Sequence, residues 1–535
     1  MIIRSTQKLG MKLFEVVESR FSTAFGESWN PFYNLGALSF FFFWIVAASG
    51  VYLYAFFDTS ITSAYTSVES ITNNHFYIGG IIRGLHRYAS DAMVVTMTIH
   101  LFREFLMGRF RGARWFSWLT GVPLLWLVFA SGINGYWLVW DQLAQYIAIL
   151  TAEWFDWLPF FSAPMAQNFL NEASLSDRFF SLLAFLHIGI PLTLLLMMWV
   201  HIQRMAKAKS NPPRGLALGT LAALIILSIA KPAVSQAPAN LDRAVTDVQL
   251  DWFFLNLYPL LDTVSPGDLW GLVGFITLLI AVVPWILPKG KYSIATVNLE
   301  NCNGCERCFI DCPYDAVTMQ PRTDGMSFSH EAVVRTNLCV GCGICVGACP
   351  TATPFRRQTQ LVAGIELAEF PLKNLRNEVL QASETLSGTD RVMAFACSEC
   401  GKDKLARQPG VAVVPLPCIA MLPPSFIDFV ISKRLADGVF LTGCETANCY
   451  HRYGSQWTEE RIEGKRDPQL RKRVPRERVA RLWTSAVNGG RVQQEIKQFR
   501  SRLRDVGPMR DDYASMKQSL SFVSSETGGN IHDTD

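Results

Sequence analysis

Two stretches decide the fold: RGLHRYASDAMVVTMTIHLFR at 83–103 and SLLAFLHIGIPLTLLLMMWVHIQR at 181–204. Each is an apolar run long enough for a membrane helix, and each carries two histidines. His86 and His100 are 14 residues apart, as are His187 and His201. Fourteen residues is nearly four helical turns, about 21 Å at 1.5 Å per residue, so each pair lies on one helix face. A lone histidine within a membrane span reads as polar glue between helices; two pairs with matching spacing favour metal ligation. Two such helices would clamp two haems, each iron taking one imidazole per helix. His86 then pairs with His187, and His100 with His201.

Glycines repeat the interval. Gly36 and Gly50 in the first apolar run, and Gly121 and Gly135 in TGVPLLWLVFASGINGYWLVWDQ (120–142), are again 14 apart. A missing side chain lets a flat macrocycle lie against the backbone, although small residues also serve ordinary helix packing in membranes. Six candidate spans follow from length and apolarity: 35–57, 81–106, 115–140, 179–204, 214–234 and 269–287. Basic residues set the orientation. Arg4, Lys8, Lys12 and Arg20 precede the first span, Arg109, Arg111 and Arg114 follow the second, Arg204, Lys207, Lys209 and Arg214 follow the fourth, and Lys289 and Lys291 follow the sixth. The other loops are acidic, with Glu153, Asp156, Glu172 and Asp177 in one and Asp242, Asp247, Asp251 and Asp262 in another. Both termini are therefore expected on the cytoplasmic side of a prokaryotic inner membrane, with His86 and His187 near the outer face. No cleavable signal peptide is expected in 1–29, which has charges of both signs and no apolar core.

The 13 cysteines all fall after residue 300. Residues 302–312 read Cys-x2-Cys-x2-Cys-x3-Cys-Pro, and 339–349 repeat the pattern. This spacing is the bacterial two-cluster ferredoxin signature, in which three close thiolates wrap one cubane and the fourth reaches the other. Cys302, Cys305, Cys308 and Cys349 should hold one 4Fe–4S cluster, and Cys339, Cys342, Cys345 and Cys312 the second; paired zinc sites need a different rhythm. Further on, RVMAFAC, VAVVPLP and GVFLTG read as strands, and FIDFVISKRLADG and the stretch after His451 as helices. Cys397, Cys400, Cys418, Cys444 and Cys449 cluster at the strand ends, which suggests a metal centre, with a zinc knuckle as the alternative.

The first half resembles the cytochrome b of the quinol-oxidising bc complexes, most closely the photosynthetic branch, over about residues 28–290. That resemblance makes the four histidines axial ligands of two b haems and suggests that Arg83 and Arg103 meet haem propionates. Two departures matter. Where the photosynthetic branch carries a thiol for an extra covalent haem, WNPFYN has Asn34; where the family has a Pro-Glu-Trp-Tyr loop at its outer quinol site, this chain has Leu250-Asp251-Trp252-Phe253. Asp251 keeps a carboxylate able to accept a quinol proton, or else is a solvated loop acid. The region from about Asp390 to Pro508 resembles the delta subunit of methyl-viologen-reducing hydrogenases, through CSEC, LPC and GCETANCYHRYG. The resemblance implies a 2Fe–2S cluster on four of the five thiols, with one to spare.

The expected architecture is a multi-domain membrane protein: a six-helix transmembrane cytochrome b bundle, an α+β ferredoxin domain and a small α/β iron–sulfur domain. The boundaries run 1–29 for an N-terminal cytoplasmic segment, 30–290 for the di-haem domain, 291–357 for the ferredoxin, 358–388 for a helical linker, 389–508 for the delta-like domain and 509–535 for a flexible tail. A net charge of +4 over 535 residues gives no reason to expect a nucleic-acid partner. No Gly-rich dinucleotide fingerprint appears, so the substrate-oxidising site is expected in a cytoplasmic flavoprotein or iron–sulfur dehydrogenase. The chain would then pass electrons between that partner and quinone through 2Fe–2S, two 4Fe–4S and two haem b, within a lipid bilayer and as a homodimer in a larger complex. Three alternatives stand beside this: quinol oxidation driving electrons to low-potential clusters, a membrane anchor with structural haems, and a thiol or disulfide reductase subunit.

Overall fold

The computed structural model describes the chain except Met1, 76–77, 161–163, 165–174, 204–207, 246, 288–293, 358–360, 400–404, 406–407, 485–488 and 508–535. The polypeptide divides into two compact units, Met1–Lys289 and Gly290–Asp535. Several expectations concern residues outside the described set: the charges Glu172, Arg204, Lys207, Lys289 and Lys291, the thiol Cys400, the start of the linker and the tail at 509–535.

The first unit is helical. Its helices are α1 (Ile2–Phe25), α2 (Leu35–Phe56), α3 (Ala64–Asn74), α4 (Ile78–Leu106), α5 (Trp115–Val139), α6 (Gln142–Asp156), α7 (Asp177–Ile202), α8 (Arg214–Ala230), α9 (Tyr258–Leu261) and α10 (Pro266–Ile286). A helix stands in each of the six expected places, but among the described residues length and apolarity qualify four as spans: Pro31–Phe56, Trp115–Val139, Asp177–Ile202 and Pro266–Ile286. Arg83, Arg87, Asp91, Arg103 and Glu104 lower the apolarity of α4. Helix α8 has 17 residues, or about 25 Å, against a hydrocarbon core of about 30 Å.

Local chemistry sets the ends. Ser176 caps α7 by accepting from Phe179 N, and Ser265 caps α10 with Pro266 at its first position. Asp141 caps α6, accepting from Ala144 N and, through its other oxygen, from Gln236 N, both at 2.9 Å. Helix α4 packs along α2 and α8, and α5 along α7, while α4 and α5 touch each other little. The histidine-bearing faces lie between these two helix pairs. Large side chains on the outer faces are exposed, including Phe185, Leu192, Leu196 and Trp199 of α7 and Phe275 and Leu278 of α10, as a lipid-facing surface requires.

The second unit is mixed α and β. Strands β1 (Ala295–Val297) and β4 (Ile365–Leu367) pair antiparallel, as do β2 (Val317–Pro321) and β3 (His330–Val334). Short helices α11 (Arg307–Ile310) and α12 (Ile344–Ala348) carry the cysteine loops, and α13 (Leu372–Glu384) lies in the expected linker. A four-stranded parallel sheet follows in the order β6-β5-β7-β8, from Val392–Cys397 (β5), Val411–Leu416 (β6), Gly438–Gly443 (β7) and Val479–Trp483 (β8). The first three match the strands read from sequence; β8 was not foreseen. Helices α14 (Pro424–Ser432), α15 (Gly454–Ile462) and α16 (Gly489–Val506) complete it. Val492, Ile496, Phe499 and Leu503 of α16 recur at four and three residues and close over Val392, Ala394 and Phe440.

Candidate redox centres

Rings from α4 and α7 face one another. The ring centres of His86 and His187 are 6.2 Å apart. An iron bridging two imidazoles with metal–nitrogen bonds of roughly 2 Å would set them about 6 Å apart. His86 Nδ1 lies 3.1 Å from the Val46 carbonyl and 3.1 Å from Ser49 Oγ; His187 Nδ1 lies 3.1 Å from the Ser131 carbonyl. A carbonyl oxygen only accepts, so Nδ1 carries the proton in both rings and the Nε2 lone pair is available to a metal. Thr120 Oγ1 gives its own proton to Phe116 O at 2.8 Å and sits 3.2 Å from His201 Nδ1, which fixes that ring the same way.

The glycines stand behind these rings one for one. A methyl group on Gly135 would fall 2.7 Å from His187 Cε1, and one on Gly50 would fall 3.1 Å from His86 Cε1. The corresponding distances are 3.3 Å for Gly121 and His201, and 3.5 Å for Gly36 and His100. Four rings with four bare backbone positions behind them fit two flat macrocycles. Sequence reasoning missed the orienting groups, yet Ser49-Gly50 and Thr120-Gly121 already put a hydroxyl beside two of the four glycines.

Asp251 is buried. It accepts from Arg87 Nη2 at 3.0 Å and from the Tyr136 hydroxyl, and its other oxygen accepts from Phe253 N at 2.8 Å. The solvated-acid alternative is therefore corrected: a cation and a phenol from two different helices enclose this carboxylate. Arg87 follows His86 and Tyr136 follows Gly135, so the acid stands beside the His86–His187 level. Arg83 donates to Glu69 Oε1 at 3.3 Å, Thr72 Oγ1 at 2.7 Å and Ser235 Oγ at 2.7 Å. Arg103 donates to Glu18 at 2.7 Å. Both arginines are held here by protein carboxylates. Asn34 Nδ2 donates to the Asn30 carbonyl at 2.9 Å, a turn-closing role.

In the second unit, Cys302, Cys305, Cys308 and Cys349 line one cavity. Cys312, Cys339, Cys342 and Cys345 line another. The fourth cysteine of each run lines the cavity of the other run's first three, as the cubane rhythm demands. Among the described residues no three His, Cys, Asp or Glu side chains gather closely enough to share a single metal ion, whereas a cluster needs donors spread around a void. Burial pushes Cys308 up to about 12 and raises Cys312, Cys342 and Cys345 as well. These thiols thus hold their protons until a metal displaces them.

Cys397 ends β5, Cys418 lies just past β6 and Cys444 follows β7, so three thiols collect at the carboxyl ends of adjacent parallel strands. Cys418 is hydrogen-bonded with Cys397, and Cys449 with Cys444. A methyl group on Gly454 would lie 2.5 Å from Cys418 Sγ and 3.4 Å from Cys449 Sγ, which brings the two pairs to one place.

Residues 21–209 match the family Cytochrome b/b6/petB, 301–353 match the 4Fe-4S dicluster domain, and 391–507 match the methyl-viologen-reducing hydrogenase delta subunit. Three separate segments of the chain are thus similar to three redox families. The cytochrome b match includes all four histidines and ends before Asp251. A solved structure titled "Hyperthermophilic respiratory Complex III" is similar at 19% identity and a TM-score of 0.39, over 49% of this chain and 76% of that one. The cytochrome b and ferredoxin matches make the chain an integral membrane electron-transfer subunit of oxidoreductase type, and they imply haem b and iron–sulfur clusters. The mixed α/β unit after the apolar helices is where the dicluster and delta matches fall.

Proposed function

We propose that this chain is the quinone-reactive subunit of a membrane oxidoreductase, moving electrons between a cytoplasmic flavoprotein or iron–sulfur dehydrogenase and the quinone pool. One observation carries the reading: a single polypeptide holds two glycine-backed histidine pairs and two four-cysteine cavities. When bound, haem and iron–sulfur groups supply one-electron carriers. His86 with His187 and His100 with His201 would hold the two haem irons, and Gly36, Gly50, Gly121 and Gly135 would leave room for the macrocycles. Arg83 and Arg103 would meet the propionates.

Cys302, Cys305, Cys308 and Cys349 hold one 4Fe–4S cluster, and Cys312, Cys339, Cys342 and Cys345 the other. Four of the five thiols Cys397, Cys400, Cys418, Cys444 and Cys449 hold 2Fe–2S, with one to spare. Replacing each in turn by serine should abolish the 2Fe–2S electron paramagnetic resonance signal at four positions and keep it at the fifth. The charge asymmetry of the loops supports six crossings, with both termini and every cysteine on the cytoplasmic side. The delta-like region is the docking face for the soluble partner, and the chain works as a homodimer in the assembled complex.

A second reading is favoured by the enclosure of Asp251 beside the outer pair. There the carboxylate takes a proton from a quinol, Tyr136 and Arg87 hold it in place, and electrons run toward the low-potential clusters. The test is anaerobic stopped-flow spectroscopy on the purified complex in lipid, with a low-potential donor or a quinol added in turn. Reduction of b-type bands by the soluble donor, followed by reoxidation with quinone, is the expected result. Fewer than two haems per chain, or haems that no donor reduces by way of the cysteine-rich half, would overturn the proposal.

A further inference from the structure

The two ferredoxin cavities are not equivalent toward the C-terminal thiols. Three independent contacts tie the loops that line the Cys312 cavity to those that carry Cys418 and Cys449. The Tyr314 hydroxyl lies 2.7 Å from His451 Nδ1, and both residues are buried. Asp311, next to Cys312, binds Arg461 of α15 and, at 2.5 Å, Arg466; Arg461 also donates to the Ala420 carbonyl at 3.1 Å. Gly343 and Gly347 flank Cys345, and neither leaves room for a side chain: a methyl group would meet Met421 Cγ at 2.7 Å in the first case and the Ala420 carbonyl oxygen in the second. The Cys302 cavity is lined instead by Met319, Ala332, Gly364 and Ile365.

The Tyr314–His451 pair does more than join two surfaces. The backbone N–H groups of Tyr314 and Ala316 point at Cys312 Sγ, the latter at 3.2 Å. The backbone N–H of His451 points at Cys449 Sγ. One side-chain hydrogen bond thus fixes two peptide donors, one for a sulfur on each side. Hydrogen bonds to ligand sulfur favour the more negative, reduced state of an iron–sulfur centre and raise its potential.

We propose that Tyr314 and His451 are positioning residues that couple the C-terminal centre to the ferredoxin centre held by Cys312, Cys339, Cys342 and Cys345, making that cluster, and not the Cys302 set, its electron-transfer neighbour. This rests on the proposed function in assuming that each thiol set is loaded. Iron and acid-labile sulfide per chain in the parent protein test that assumption separately, since their absence would sink the loading and leave the coupling aside.

The experiment is a potentiometric titration followed by electron paramagnetic resonance on the complete purified chain, as parent, Tyr314→Phe, His451→Leu and His451→Asn. Tyr314→Phe deletes one oxygen atom, so iron content should match the parent. The expected result is a shift to lower potential of both the C-terminal centre and the Cys312-set cluster in Tyr314→Phe and His451→Leu, with the Cys302-set cluster unmoved. His451→Asn, which keeps a hydrogen-bonding atom near the phenol, should recover part of both shifts. Equal movement of all three centres, movement of the Cys302-set cluster alone, or no movement with full iron content would each overturn the coupling.

Discussion

Replacing Gly135 with alanine tests the histidine–glycine arrangement most sharply. The new methyl would begin 2.7 Å from His187 Cε1, and that ring cannot simply swing aside, because its Nδ1 is held by the Ser131 carbonyl at 3.1 Å. Overpacking of this kind costs about 1–3 kcal/mol, which converts to roughly 5- to 150-fold weaker haem retention at 1.4 kcal/mol per tenfold. Alanine favours the helix by about 1 kcal/mol over glycine, so a weakened α5 would not explain the loss. Gly36→Ala makes the same chemical change where the methyl meets His100 Cε1 at 3.5 Å, an ordinary contact. The assay is haem per chain by pyridine haemochrome, with reduced-minus-oxidised spectra of the purified protein. Gly135→Ala should fall from two haems toward one, Gly50→Ala at 3.1 Å should lie between, and Gly36→Ala should keep two. Equal haem loss in Gly36→Ala and Gly135→Ala, or two intact haems in both, would refute the reasoning.

Asp251→Asn should leave haem spectra unchanged and slow any quinol oxidation by about 10²–10⁴-fold, the usual contribution of a positioned base; unchanged quinol-dependent reduction of the b-type bands would remove Asp251 from the chemistry. Asp311→Ala strands the guanidinium of Arg461, whose side chain is 1% exposed, and should destabilise the cysteine-rich unit by about 3–5 kcal/mol, read from denaturant midpoints. In the apo protein the Cys308 thiol is raised from about 9 to about 12 by burial. A raised thiol contributes stability that is complete below pH 9 and lost as pH climbs toward 12, so the apo midpoint should drop across that window. Iron loading displaces the same protons and should therefore weaken in acid, which a pH series of reconstitution with iron and sulfide would show.

The grouping of the histidines, glycines and ferredoxin cysteines was legible because their signals are local. The 14-residue intervals of histidine and glycine follow from helical pitch alone, and the two cysteine runs carry their own rhythm. What could not be read lies far apart in sequence. Asp251 is enclosed by Arg87 and Tyr136, which are 164 and 115 residues away, so no window around it distinguished a buried acid from a solvated one. The acceptors for His86 and His187 are main-chain carbonyls, which every residue possesses. Helix α1 was overlooked because its apolar residues Leu9, Leu13 and Val16 form a stripe that remains exposed and never a continuous apolar run. Strand β8, VARLW, carries an arginine at its exposed centre, which masked a short edge strand. Among the described residues the six expected spans became four by length and apolarity because α4 bears charges that partners elsewhere in the fold neutralise and α8 has 17 residues.

The ladder of imidazoles also constrains how such a chain can change over time. One residue inserted between His86 and His100 would rotate the lower ring by about 100° and displace it by about 1.5 Å, turning it away from His201. Outward-facing side chains between the rungs are free to vary among apolar types, whereas the number of residues is not. In α2, α4, α5 and α7 drift should therefore proceed by substitution, with insertions and deletions confined to the connecting loops.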